Sequence, residues 1–159
     1  MTLKSKRSIT SLTAGILTAA GYVIYALSSA APDTDDLKAW AIAMLIFIGI
    51  AVGAQIVTQI AFHIVVAAGI AVKEGEDDKA VERIIESEMR EDERDKSITL
   101  KASHAGYSCI GIGFAAALIA LACGAAALAA LHILLGSCFA AALTDGIVSV
   151  YLYEKGVSK

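Results

Sequence analysis

Long uncharged, apolar stretches alternate with short charged ones along this chain, and the alternation predicts four membrane-spanning helices. Ser8 to Ala31 carries no charge, Ala39 to Val72 carries none for 34 residues, and Ala102 to Thr144 carries none for 43. A helix needs about 20 mostly apolar residues to cross the hydrocarbon core, which is roughly 30 Å thick, because each residue rises about 1.5 Å. The first stretch supplies one span. The second would be about 51 Å long as a straight helix, so it must tilt, protrude, or begin with a piece lying at the surface. The third is twice the needed length. Its expected break is Cys123-Gly124, since glycine relaxes the backbone and the alanine-rich flanks offer no other breaker.

Spans are therefore expected near 8–31, 45–72, 102–122 and 126–150, within one membrane domain covering 1–159, with a charged connector over 73–101. Strands do not fit, because the apolar runs are continuous rather than alternating. Pro32 is the single proline, and alanine, the best helix former, supplies about a fifth of the residues. The expected fold is all-α, a polytopic four-helix membrane protein.

Composition sharpens this picture. The 159 residues are 57% hydrophobic and only 18% charged, whereas soluble domains carry roughly 25% charged residues. Of the 29 charged residues, 18 fall between Lys73 and Lys101. That clustering excludes a soluble enzyme, a disordered tail and a disulfide scaffold. Orientation follows from Lys and Arg alone. In a four-span arrangement Lys4, Lys6, Arg7, the seven basic residues of 73–101, Lys155 and Lys159 lie on one side, and Lys38 alone lies on the other. Both termini are expected to face the cytoplasm of a prokaryotic cell, across its inner membrane. Trp40, Tyr151 and Tyr153 sit where an interfacial aromatic belt belongs. A cleaved signal peptide ending at Ser28-Ser29-Ala30-Ala31 is the rival reading of the N-terminus, and the apolar stretch is longer than a typical signal core.

The 73–101 connector holds 7 basic and 11 acidic residues. Anionic lipid surfaces and nucleic acid both call for a basic segment, so no nucleic-acid partner is expected. Ala80, Val81, Ile84, Ile85 and Met89 recur at helical spacing and form a narrow apolar stripe. Glu86–Arg90 and Asp92–Lys96 place an acid four residues before a base, the favourable order on a helix. The stripe either rests on a neighbouring helix or docks a cytoplasmic protein partner or a second copy of the chain. The acidic run Glu74, Glu76, Asp77, Asp78 lacks the spacing of a calcium loop, and no metal is assigned.

Asp92-Glu93-Arg94-Asp95-Lys96-Ser97-Ile98-Thr99-Leu100-Lys101, running into Ala105-Gly106-Tyr107, resembles the element before the third span in small four-span prokaryotic membrane proteins of families without known function. His63 and His132 match histidines of their second and fourth spans. Thr99 stands where those proteins carry an acidic residue, and His104 where they carry a basic one. The resemblance covers about half the chain and implies a fold but no chemistry. Some of those proteins are paired with small helix-turn-helix regulators, which would suit membrane tethering.

Polar groups inside a bilayer find no hydrogen bonds from lipid and so mark sites. Gln55, Gln59 and His63 are four residues apart and fall on one helical stripe, with Thr58 at its edge. Asp145 is the only charged residue inside an apolar stretch. It lies eight residues before Tyr153, about 12 Å from that boundary along a helix, and His63 lies at a similar depth if Val72 marks the boundary. Antiparallel helices could let the two share a hydrogen bond. The plainer alternative is that Asp145 reaches outward to Lys155 or Lys101 while His63 bonds a helix backbone.

His132 reads as a packed or interfacial histidine. Haem ligation by His63 or His132 is the cofactor alternative, and their differing depths weigh against one shared iron. Otherwise no cofactor is expected. Cys109, Cys123 and Cys138 lack metal or redox spacing and read as packing residues. Gly49 with Gly53, Ala116-Ala120-Gly124 and Ala122-Ala126-Ala130 are small residues at four-residue spacing, which permits tight helix approach and homo-oligomers. Lys6–Thr10 and Asp95–Thr99 echo one another, without consistent spacing to a second pair of matches. No nucleophile elbow, P-loop, zinc or dinucleotide motif is present, so an enzyme is not expected.

Two functions follow. One is a non-catalytic scaffold or regulator using the Ala80–Met89 stripe. The other is a small transporter or proton-linked channel using Gln55, Gln59, His63 and Asp145.

Overall fold

A computed structural model describes residues 3–74 and 93–155, and these are all-helical without a strand. The elements are α1 (Leu3–Ala26), α2 (Leu37–Glu74), α3 (Glu93–Ala122) and α4 (Ala127–Lys155). Each is long and apolar enough to cross a bilayer, and the chain is a multi-pass membrane protein. Large apolar side chains such as Leu17, Ile24, Val65 and Ile112 stand exposed around the outside. That is the surface expected where lipid is the solvent.

Helix ends depart from the expected spans for local reasons. α1 stops at Ala26 rather than Ala31. There the Ser28 hydroxyl donates to Tyr25 O at 2.7 Å and accepts from Ala30 N at 3.2 Å, a side-chain alternative to the helical ladder. α2 begins at Leu37 because Asp36 caps it, its Oδ1 accepting from Ala39 N at 2.9 Å. No separate surface piece precedes the second span: its 38 residues form one helix, about 57 Å long. α3 begins at Glu93, so the last part of the expected connector is the first turns of the third helix. Glu93 and Asp95 in that first turn suit the positive end of the helix dipole.

The 43-residue uncharged stretch breaks at Cys123-Gly124. Gly124 has φ +85°, a left-handed conformation open mainly to glycine. Ala125 N donates to Ala120 O at 2.9 Å and Gly124 N to Leu121 O at 3.0 Å, which together form a Schellman cap. This turn sends α4 back antiparallel to α3.

α4 is the hub: it packs along α3 most extensively, then α1, and briefly α2, while α1 also packs on α2. Among the described residues α3 meets α4 alone, so α2 and α3 do not close against each other. The tightest seam runs through Ala102, Gly106, Gly113 and Ala117 of α3, all buried. A Cβ at Gly113 would collide with the Ser137 side chain, and one at Gly106 would lie 3.1 Å from Ala141 O. Gly146 of α4 receives Leu12 of α1 in the same way. The small residues at Gly49 and Gly53 are elsewhere, with no neighbouring atom within 4 Å of a Cβ built there.

Candidate functional site

Each helix carries polar side chains one turn apart near the end of the bundle where both chain termini lie. α1 contributes Arg7 and Ser11; α2 contributes Gln55, Gln59 and His63; α3 contributes Asp95, Thr99 and Ser103; α4 contributes Asp145, Ser149 and Tyr153. All eleven line one cleft of about 710 Å³, whose apolar wall includes Leu12, Phe62, Val66 and Ile110. The four-residue spacing is the cause, because residues at i and i+4 stack on one helix face. Polar side chains turned together toward a shared space avoid burial against lipid.

Two hydrogen-bonded pairings tie α1 to α2. The Ser11 hydroxyl donates to Gln55 Oε1 at 2.6 Å, and Gln55 Nε2 donates back to Ser11 O at 3.2 Å. One turn closer to the termini, Arg7 Nη2 donates to Gln59 Oε1 at 2.6 Å. A second set ties α3 to α4: the Ser103 hydroxyl donates to Asp145 Oδ1 at 3.2 Å, and Cys109 Sγ lies 3.4 Å from Thr144 Oγ1. The cleft lies between these two polar hairpins.

Gln55, Gln59, His63 and Asp145 thus share one cleft, but His63 and Asp145 are not hydrogen-bonded to each other. Asp145 has Ser103 as its partner, because Gly106 and the neighbouring small residues draw α3 close to α4. Nor does Asp145 pair with Lys155 or Lys101 among the described residues; Lys155 Nζ instead lies 5.0 Å from the centre of the Tyr151 ring. His63 faces both the cleft and an adjoining crevice of about 560 Å³. The stripe Ala80, Val81, Ile84, Ile85 and Met89 lies outside the described residues.

Arg7, Ser11, Asp95, Thr99, Ser103, Ser149 and Tyr153 join Gln55, Gln59, His63 and Asp145 in the cleft without standing out as site residues in the sequence, where Arg7 marks orientation. The signal was available. Arg7/Ser11, Asp95/Thr99/Ser103 and Asp145/Ser149/Tyr153 repeat the spacing of Gln55/Gln59/His63, always at the charged end of a span.

The opposite end is built differently. Tyr22, Trp40, Met44 and Leu135 form a buried cluster, with Phe47 and Phe139 packed on it. The Tyr22 ring lies 5.2 Å from Phe47 and 5.9 Å from Phe139. His132 belongs here, its ring 4.8 Å from Trp40 in an edge-on contact and its Nδ1 2.9 Å from Leu128 O. A carbonyl only accepts, so that bond requires the proton on Nδ1. Trp40 and His63 are 23 residues apart on one helix, about 35 Å along its axis. His132, beside Trp40, is therefore far from His63, and one haem iron cannot join them. Among the described residues no three His, Cys, Asp or Glu side chains converge on a metal position.

Compared with protein-family models, with curated proteins and with solved structures, the chain matches none.

Proposed function

We propose that this chain is a small transporter, proton-linked, that loads a polar group into the cleft between its two hairpins. What supports this reading is one observation: side chains from all four helices, including Gln55, Gln59, His63 and Asp145, line a single cleft. A rigid anchor needs no such space. In water-excluded surroundings an ionisable pair of residues lining one cavity is the usual apparatus of a proton relay. Asp145 and His63 fill that role here, Asp145 as the acidic group held by Ser103 and His63 as the imidazole on the facing hairpin. On this reading the buried aromatic cluster at the other end would be the closed gate that alternating access requires.

The cleft end is read as cytoplasmic in a prokaryotic inner membrane, since the basic residues gather there. The open face at Gly49 and Gly53 gives homo-oligomers a place to form.

Purified protein in liposomes containing a pH-sensitive dye, driven by an imposed potassium diffusion potential, tests the reading. Proton uptake should exceed that of protein-free vesicles, and Asp145→Asn should bring it back to that baseline. Wild-type uptake equal to the protein-free baseline overturns the proposal.

A further inference from the structure

We propose that the group loaded into the cleft is the head of a zwitterionic membrane lipid, a phosphate joined to an ammonium, entering sideways from the bilayer between α2 and α3. This assignment rests on the transport reading and names its substrate class.

Three observations carry it. The first is the lateral mouth. Both α2 and α3 line the cleft, yet they do not pack together among the described residues. Among the described residues the cleft is therefore open between α2 and α3.

The second is the shape of the space. A crevice of about 560 Å³ shares Gly15, Gln55, Gln59, His63 and Ala142 with the cleft and runs on along α2 past Ile56 and Val52 to Ala51, with Phe139 on its far wall. Its deeper part is apolar. A polar chamber continued by an apolar groove fits a molecule with a head and a hydrocarbon chain, and both volumes lie in the range of roughly 300–1,000 Å³ typical of ligand sites.

The third is charge. Arg7 and Asp145 stand on different hairpins and line the same cleft, with Asp95 as its second carboxylate. Among the described residues neither is in an ion pair. Arg7 commits one guanidinium N–H to Gln59 and Asp145 commits one oxygen to Ser103. A guanidinium has further donors and a carboxylate a second oxygen. A phosphate against Arg7 and an ammonium against Asp145 would use both, through charge-assisted bonds strengthened by the low dielectric. A purely anionic head would meet Asp145 as a like charge.

The test is native mass spectrometry of the full chain, purified with an equimolar mixture of dioleoyl phosphatidylethanolamine and dioleoyl phosphatidylglycerol and then stripped stepwise with detergent. Wild-type protein should retain the ethanolamine lipid in preference. Arg7→Gln should lower its retention by about tenfold, the loss of one charge-assisted bond. Asp145→Asn should shift the preference toward the glycerol lipid, because one of the two carboxylates that line the cleft with Arg7 is then neutral. Val52→Trp leaves both charges and fills the lipid-facing groove; it should lower retention of either lipid, and it serves if the charge variants do not fold.

Equal retention of both lipids by wild-type protein, or retention unmoved by Val52→Trp, overturns the assignment. So does a dimer that covers the α2–α3 mouth and carries no lipid. If either occurs while proton uptake still depends on Asp145, the transport reading stands and only its substrate falls. Selective lipid retention without proton uptake overturns the transport reading instead.

Discussion

The two ends of this bundle solve the same packing problem with opposite chemistry. At one end Tyr22, Trp40, Met44, Phe47, Leu135 and Phe139 interlock as a dry cluster drawn from α1, α2 and α4. At the other, the helices are joined two at a time, by the Arg7–Gln59, Ser11–Gln55 and Ser103–Asp145 hydrogen bonds and by close approach at Gly106 and Gly146. Aromatic rings fill space in every direction, so they draw several helices together at once. A hydrogen bond joins two atoms and leaves the space beside them empty. The lesson is that polar pairs and small-residue seams join helices two at a time, whereas large aromatic rings join three at once. The cleft lies where the helices are joined only two at a time.

The contrast can be broken most directly by probing access. In a chain whose three cysteines are replaced by serine, Ser149→Cys in the cleft should react with a water-soluble maleimide, and Leu135→Cys in the aromatic cluster should not. Equal labelling of the two would mean that the closed end is open to water.

Stability sharpens it next. Trp40→Ala should cost about 3 kcal/mol, the scale of emptying a large aromatic site in a packed core, read as a shift in the detergent-unfolding midpoint. Gly113→Leu, which forces a side chain into Ser137, should cost about 1–3 kcal/mol and loosen the α3–α4 hairpin, visible as faster amide exchange in both helices. Gln55→Leu should cost only about 1 kcal/mol, and Ser103→Ala about 0.6 kcal/mol, the measured range for hydrogen bonds between helices in membranes. A cost for Gln55→Leu as large as that for Trp40→Ala would erase the distinction between the ends.

Much of this architecture is legible in the sequence. Uncharged run lengths are set by bilayer thickness, so the four spans could be counted, and Gly124 stood out as the one residue able to turn the last run back. Helix ends were less legible, because they rest on the bonds of single side chains: Ser28 ending α1, Asp36 starting α2. Four of the eleven polar side chains of the cleft are visible in the sequence, Gln55, Gln59, His63 and Asp145, which are conspicuous as polar residues in apolar surroundings. Arg7 and Ser103 are not, since an arginine beside a terminus and a serine in a helix are both commonplace. Their meaning comes from which helices adjoin, and that is set by the α3–α4 seam through Gly106 and Gly113. Of the three small-residue patterns in the sequence, Gly49 with Gly53 has no neighbouring atom within 4 Å of a Cβ built there, among the described residues.

The pairs joining α1 to α2 form a ladder with two rungs on one rail and three on the other. Arg7 faces Gln59 and Ser11 faces Gln55, and His63 is the vacant third position. Sliding α1 by one turn, about 5.4 Å, would set Ser11 against Gln59 and Arg7 against His63. Gly15, already 4.0 Å from Gln55 Nε2 by its would-be Cβ, would offer that glutamine a place without a side chain. Hydrogen-bonding groups would again face each other in such a register, so a one-turn ratchet of α1, carrying Leu12 off Gly146, would reshape the cleft without leaving those groups facing apolar side chains.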